Sequence, residues 1–329
     1  MEFLQNNFLT DFFLLCLNGL NSLFGNYAVS IIVLTVLIRL AMLPLDLMQK
    51  NNQARMQALG PEIQSLQKRY ANNPQQMQRK QQELYRKMNV RPMLGCLPML
   101  IQLPFLFAFF GAMRALATEQ TVAMILNAAQ FGPETVDIPQ FFWVHNFWQP
   151  DSGMANVLMN ANEFLSYIQT NGMSTITPET LSMLQEQGIF TYAGSALAVN
   201  VETYNTLAYR ILEANEMVGF KNGWFILPAL CGVALFVQQK FAPSATGGAN
   251  PMMGMAGAGA QDAETQQAQG CSNKVMMWVM PIFSVWICLQ GNTAFSLYWF
   301  TSSMYAFGQT RIIDFFKKRK AKREEIVIS

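Results

Sequence analysis

Apolar residues occur along this chain in long blocks separated by polar segments. Five blocks predict membrane-spanning helices, at residues 28–46, 93–113, 224–241, 275–290 and 292–310. Several are short beside the about 20 residues that a hydrocarbon core of about 30 Å requires. The last two form one apolar block, 275–310, with Gly291-Asn292 near its middle. Because a single helix of that length would overshoot the bilayer, this block predicts a tight helical hairpin.

The first segment, residues 1–27, has a hydrophobic pattern with the period of an α-helix but is not predicted to cross the membrane. From residue 8 to 24 most apolar side chains share one helical face, and polar ones such as Thr10 and Asp11 lie on the other. This pattern predicts an amphipathic helix in the membrane interface. Glu2 and Asp11 stand where a removable signal would carry lysines, so no cleaved signal is expected.

Two polar segments follow spans on the same side of the predicted membrane. Segment 47–92 has a thin apolar stripe interrupted at Asn72-Asn73-Pro74, which predicts a helical hairpin standing out from the membrane. Segment 242–274 is rich in Gly, Ala and Met and predicts a flexible loop.

The segment between the second and third spans, 114–223, is long and acidic. Thr177 followed by Pro178 and Glu179 has the signature of a helix N-terminus, and residues 201–218 show a second helical pattern. We therefore expect a small folded helical module at about 151–222. Because it would lie outside the membrane, it should not be needed for the basic step that takes place within the spans.

Composition and charge support this arrangement. The chain is 51% hydrophobic and 13% charged, against about 25% charged in soluble domains. Segment 47–92 holds nine Lys and Arg residues and the tail 311–329 holds seven, whereas 118–223 holds two, with ten acidic residues. The positive-inside rule then predicts a multi-pass membrane protein with its N-terminus outside and its C-terminus in the cytoplasm.

Residues suited to catalysis or metal binding are few. The five cysteines form no C-x-x-C pair, and His145 is the only histidine. We predict no catalytic residue, no metal site and no cofactor, and hence no enzyme. His145 lies between Trp143 and Trp148, a setting typical of an interfacial anchoring loop.

Several stretches in order resemble the YidC family of membrane protein insertases, which has Oxa-type relatives in organelles. They include "SIIVLTVLIRLAMLPLDLMQ", "GPEIQSLQKRY", "GCLPMLIQLPFLFAFF", "FFWVHNFW", "WFILPALCGVALFVQQKFAP" and "MMWVMPIFSVWICLQGNTAFSLYWFTSSMYAFGQTRI". The chain departs from the family where about 70 residues, 152–221, precede the third span. The large N-terminal periplasmic domain of many Gram-negative members is also not expected.

The resemblance implies an all-α membrane protein with a five-transmembrane-helix insertase core. To that core this chain would add the interfacial helix, the cytoplasmic hairpin and the outer helical module. The implied function is that of an insertase and chaperone in the bacterial plasma (inner) membrane. Such a protein receives nascent polypeptides in a hydrophilic groove open to cytoplasm and lipid, and moves them into the bilayer.

Arg39 interrupts the first span. A guanidinium near the centre of a bilayer costs ~2.5–3.5 kcal/mol even on lenient scales. The nearest acid in the sequence is Asp46, and no acid occurs in the other four spans. One interpretation is a structural arginine that snorkels or forms a buried ion pair. The other, which the resemblance favours, is a cation in a water-filled groove that binds the substrate.

Further residues are candidates for lining this groove. Thr35 lies one helical turn before Arg39, and Gln102 and Gln309 would add polar groups from other spans. Tyr298 and Trp299 match positions that face the groove or substrate path in the family. The alternatives are interhelical hydrogen bonding for Gln102, and packing or interfacial anchoring for the two aromatic residues.

The predicted partners follow from charge and from the resemblance. Nascent membrane proteins are the expected substrates, and a Sec-type translocon is a further candidate partner. The seven cations of the basic tail, all within 311–323, suit both anionic lipids and ribosomal RNA, which are not exclusive.

The rival function is an anion-conducting channel or small-molecule transporter with Arg39 in a polar cavity. No internal inverted repeat supports it. An intramembrane hydrolase would need a Ser–His or Asp–Asp pair, and the predicted spans contain neither a histidine nor an acid pair.

Overall fold

The computed structural model describes residues 8–90, 97–172, 176–193, 196–241 and 278–328. Within these ranges the chain is mostly helical, which confirms the predicted all-α class at that level. Contacts divide the chain into two compact units. The first comprises Met1–Ile31, Ala108–Cys231 and Val285–Trp299; the second comprises Ile32–Phe107, Gly232–Ser284 and Phe300–Ser329.

The described helices and strands are numbered here in chain order. Before the outer segment they are α1 Phe8–Phe24, α2 Tyr27–Ala58, α3 Gly60–Arg69, α4 Pro74–Lys87 and α5 Leu97–Phe131. The outer segment holds a 3₁₀ turn Pro133–Thr135, α6 Ala161–Tyr167, a π-helical turn Ile168–Gly172, α7 Pro178–Glu186, β1 Phe190–Ala193, β2 Ala196–Val199 and α8 Val201–Ala214. The last helices are α9 Ile226–Phe241, α10 Trp278–Gln290 and α11 Thr293–Ile328.

Three helices extend beyond the apolar blocks that predict them. Helix α2 ends at residue 58 rather than 46, α5 at 131 rather than 113, and α11 at 328 rather than 310. The continuations of α2 and α11 are polar but rich in good helix formers, so the helix does not end where the apolar block ends. The continuation of α5 supplies buried residues such as Val122 and Ile125. Gly291 and Asn292, the predicted break, separate α10 from α11. The predicted flexible loop 242–274 lies outside the described residues.

By length and composition, one described helix segment, Tyr27–Met56 within α2, is suited to crossing a membrane. Helices α1, α9 and α10 are apolar but shorter, at 10–17 residues.

The buried side of α1 differs from the predicted apolar face. Phe13 and Leu17 are buried as expected, but Thr10 is buried as well, and its hydroxyl donates to the carbonyl of Ala108 at 3.3 Å. Phe8 is among several apolar side chains that remain exposed. If the surroundings are apolar, hydrophobicity alone does not decide which side of a helix packs on the protein.

Helices α3 and α4 form a helical hairpin in the segment that is predicted to be cytoplasmic. Asn73 caps α4 by accepting from Gln76 N at 3.1 Å, and Pro74 takes the first helical position. The buried core of the hairpin is small and consists of Leu59, Ile63 and Val90. We therefore expect this element to be held by little apolar burial.

The outer module is not purely helical, which corrects the prediction. Strands β1 and β2 pair antiparallel, with Phe190 opposite Val199. The first run, "FTYA", is rich in strand-forming aromatic and β-branched residues, and Gly194-Ser195 is a turn dipeptide, so the sequence contained a hairpin signal. The two predicted helices are present as α7 and α8, and Thr177 caps α7 by accepting from Thr180 N.

The core of the module is continuous with the C-terminal half of α5. Phe164, Phe190 and Tyr204 are buried together, and Val122 and Ile125 of α5 belong to the same cluster. The ring centroids of Phe164 and Phe190 lie 5.6 Å apart. This packing joins the module and the part of α5 from Ala108 onward into one folded body within the first unit.

A buried polar network joins the loop that follows α5 to the starts of later helices. Asn146 N donates to Asn222 Oδ1 at 2.7 Å, and Asn222 Nδ2 donates back to the Asn146 carbonyl at 3.0 Å. Asn292 Nδ2 donates to the carbonyl of Met113 at 2.8 Å. Thr293 donates to the carbonyl of Gln149 through both its N–H and its hydroxyl.

Candidate functional site

Arg39 lies in the middle of α2 and is half-buried. Its Nε donates to the hydroxyl oxygen of Ser302 on α11 at 2.9 Å, and its Nη2 donates to the same oxygen. Both residues belong to the second unit. The long α2 and α11 therefore hold the guanidinium against a buried hydroxyl group.

No carboxylate lies within ion-pair distance of Arg39 in the part of the chain that the structure describes. The buried ion pair considered from the sequence is therefore not observed there. A hydroxyl satisfies a guanidinium hydrogen bond without neutralising its charge. Since Ser302 accepts two of the five N–H donors, others remain to bind a further acceptor.

Polar side chains continue along the same two helices. Thr35, one turn before Arg39, is buried, as are Ser303 and Gln309 on α11. The amide Nε2 of Gln309 is buried without a hydrogen-bond partner among the described residues. A buried donor left unsatisfied is costly, so Gln309 indicates a position where water or a polar ligand would be favourable.

A second contact between α2 and α11 gives their relative direction. Lys50 Nζ donates to Thr310 Oγ1 at 2.9 Å. Arg39 precedes Lys50 in α2, and Ser302 precedes Thr310 in α11. The two helices therefore run parallel within the second unit, with polar contacts at two levels.

The remaining predicted residues are placed differently. Tyr298 and Trp299 belong to the first unit, where Tyr298 is buried and stacks on Phe109 with ring centroids 4.0 Å apart. Trp299 lies 5.8 Å from Phe295, ring to ring. These contacts favour a packing role. Gln102 is on α5, but its side chain lies outside the described residues.

Ser302 is the site residue that sequence reasoning missed. A serine in an apolar span is common and has no charge to attract notice. The available signal was its spacing, since Ser302 precedes Gln309 by two helical turns and so shares its face.

The chemistry available here is that of binding. The arrangement has a cation, hydroxyls and an amide, and the described residues contain no group of three His, Cys, Asp or Glu side chains that could hold a metal ion. A half-buried guanidinium with open donors is suited to bind carboxylates.

The family comparison agrees with the order of elements. A model described as the 60Kd inner membrane protein matches residues 19–321. The chain belongs to this family. Members of the 60Kd inner membrane protein family among its relatives carry the name YidC, so the resemblance in the sequence is confirmed.

Three relatives in the family show the extent of similarity. The membrane protein insertase YidC of Clostridium perfringens is 38% identical over 143 residues, 43% of this chain and 53% of the relative. That of Fusobacterium nucleatum is 43% identical over 109 residues, 33% of this chain and 53% of the relative. The membrane protein insertase YidC 2 of Bacillus anthracis is 26% identical over 297 residues, which are 89% of this chain and 74% of the relative. The chain thus spans about half the length of the first two relatives.

Proposed function

We propose that this protein is a membrane protein insertase and chaperone. It receives nascent polypeptides in a hydrophilic groove open to cytoplasm and lipid, and moves them into the bilayer. The observation that carries the proposal is the contact of Arg39 with Ser302, which holds a charged guanidinium in an apolar helix without an acidic partner among the described residues. Relatives named as insertases support the same function.

The physical argument concerns the polar tail of a substrate. Moving an unpaired polar group into an apolar medium costs several kcal/mol. A polar recess part of the way across the membrane shortens that passage. A cation in the recess attracts an acidic tail more strongly than the same charge in bulk water, because the effective dielectric constant is lower. The apolar part of the substrate can then move into lipid without any bond being made or broken.

The proposed topology has α2, α5, α9, α10 and α11 as spans, with the N-terminus outside and the C-terminus in the cytoplasm. The charge asymmetry supports it. The parallel course of α2 and α11 also supports it, because five alternating spans make the first and the last parallel. The protein would lie in the bacterial plasma membrane.

The proposed partners beyond the substrate are anionic lipids, the ribosome and a Sec-type translocon. The basic tail forms the last part of α11. Arg311 already lies over the ring of Phe241, 4.1 Å from its centroid, so the later cations are the better candidates for contacts with phosphates.

Reconstitution in liposomes tests the function. The substrate is a single-span protein with an acidic outer tail, and Arg39→Ala is compared with Arg39→Lys. We expect Arg39→Ala to slow insertion about tenfold, because a hydrogen bond to a charged group contributes ~1.5–3 kcal/mol. Arg39→Lys keeps the cation and should retain much of the activity. Leu40→Ala, at the exposed neighbouring position, is the matched control.

The outcomes separate the hypotheses. Ion flux without insertion would favour the channel or transporter. If Arg39→Ala inserted normally, or only failed to accumulate as folded protein, Arg39 would be a structural residue.

A further inference from the structure

Large apolar side chains are exposed near the loop that follows α5. Phe142, Met154 and Trp224 have exposed fractions of 83%, 79% and 70%. Phe225 is also exposed. These four residues, called here the outer aromatic patch, all belong to the first unit. Large apolar side chains that are exposed in neighbouring segments of the fold indicate an interaction surface.

Asp151 connects three residues of the patch, Trp224 and Phe225 directly and Phe142 through Trp143. Its carboxylate is buried and accepts from the backbone N–H groups of Trp224, Phe225 and Leu227 at 2.7–3.1 Å. It also accepts from the indole of Trp143 at 2.9 Å, and the Trp143 ring stacks on that of Phe142. Phe142 and the residues at the start of α9 are therefore fixed to one buried group.

Two phenylalanines of the patch have an unusual backbone conformation. Phe142 has φ = 51° and Phe225 has φ = 63°, in the left-handed region. Phe142 lies in a two-residue turn closed by reciprocal hydrogen bonds between Phe141 and Val144. In water such a turn favours Asn or Gly, which adopt this conformation more easily. A large aromatic side chain in this turn is most favourable when it contacts an apolar phase rather than water.

We propose that the outer aromatic patch is seated in the outer-leaflet surface of the lipid bilayer and anchors α9 at that depth. This inference rests on the proposed topology, which puts the start of α9 at the outer face. The exposed apolar surface continues from the patch onto α9 through Ile226 and Leu230. No Lys, Arg, Asp or Glu occurs between residues 222 and 239. Aromatic residues are enriched at this level of membrane proteins.

Lipid photocrosslinking of the full-length protein in vesicles tests the proposal. The probe is a phosphatidylcholine with a diazirine close to its head group, and crosslinked peptides are mapped by mass spectrometry. We expect crosslinks to Phe142, Met154 and Trp224. Tyr192 and Tyr209, exposed aromatic residues of the outer module, are the matched controls and should stay unlabelled.

Leu37 on α2 is the internal control for membrane insertion, probed with a diazirine deeper in the acyl chain. If Leu37 is labelled and the patch is not, the inference is overturned while the topology stands. If neither is labelled, the topology fails and the inference with it. Crosslinking of the patch to a second protein instead of lipid would also overturn it.

A variant separates anchoring from folding. Phe142→Asn suits the left-handed turn, so the detergent-solubilised protein should melt no lower than the parent. In vesicles the same variant should reduce lipid labelling of Met154 severalfold, because the side chain that draws the loop into the interface is gone. Unchanged labelling in the folded variant would contradict the proposal.

Discussion

The hydrogen bonds between Arg39 and Ser302 fix the position of a guanidinium without changing its charge. A carboxylate in the place of Ser302 would hold the side chain more strongly, but it would compete with an acidic substrate for the same donors. The neutral hydroxyl therefore suits the proposed binding and release of an acidic tail. Ser302 is in this view a positioning residue that acts through Arg39.

Ser302→Ala should slow insertion of substrates with acidic tails, by a smaller factor than Arg39→Ala, because the cation remains but is less well oriented. Ser302→Thr keeps a hydroxyl and should retain activity. Insertion rates of two substrates, with and without acidic tail residues, provide the measurement. Ser303→Ala removes a neighbouring buried hydroxyl and serves as the control. An equal effect on both substrates would indicate a merely structural serine.

Tyr204 gives a pH prediction for the outer module. Burial, and then the nearby Glu163 charge, raise the pKa of this tyrosine above its ordinary value of about 10. The folded state thus favours the neutral phenol, whose hydroxyl donates to the Met159 carbonyl at 2.8 Å. The contribution of the neutral phenol to folding stability is complete below the pKa that Tyr204 has in the unfolded chain. It is lost as pH rises from that value through the raised pKa of the folded state.

We therefore expect the thermal stability of the module to be level near neutral pH and to fall in the alkaline range. Tyr204→Phe should be less stable at neutral pH, since Met159 loses its donor, and less sensitive to alkali. Circular dichroism melts across pH provide the measurement. A parallel decline of both proteins with pH would assign the effect to other groups.

The hairpin of α3 and α4 has the least apolar support among the elements with a described core. Among the residues that the structure describes, three buried residues form its core, against eleven in the cluster of the outer module. Amide hydrogen exchange should therefore be faster in α3 and α4 than in α8. Ile63→Ala should accelerate exchange through the hairpin without changing α8. Slow exchange in the parent hairpin, equal to that of α8, would contradict this expectation.

The order of helices was predictable because hydrophobic blocks are long and contrasting, and Gly291-Asn292 marks a break within one of them. The additional turns at the C-terminal ends of α2, α5 and α11 were not predictable. A change in hydropathy along the chain marks a change in the environment of the side chains, and the helix can continue through it. Arg39 stood out by its charge. Ser302 did not, since its importance comes from a contact across 263 residues of sequence.

The outer module and the rest of the first unit are one folded body, and this changes how its removal should be designed. Deleting residues 152–221 would remove Val157, whose carbonyl accepts from Asn146, and would uncover Ile125 on α5. Both effects are damaging in themselves. A deletion of 160–214, bridged by Gly and Ser and combined with Ile125→Gln, leaves the polar network in place.

We expect the shorter deletion to accumulate in the membrane and to insert a simple single-span substrate at close to the parent rate. The full 152–221 deletion should accumulate poorly. Protein level and insertion rate are measured for both. A well-accumulated 160–214 deletion that cannot insert would show that the module belongs to the mechanism.

The hydrogen bonds of Asp151 also have a consequence for the order in which the newly synthesised protein folds. Three of its four donors come from residues 224–227, which leave the ribosome more than seventy residues later. A carboxylate deprived of these donors keeps its water, so the loop around it cannot close. The loop around Asp151 is therefore expected to close only when the residues that begin α9 lie beside it, so that its closure depends on the correct placement of this helix.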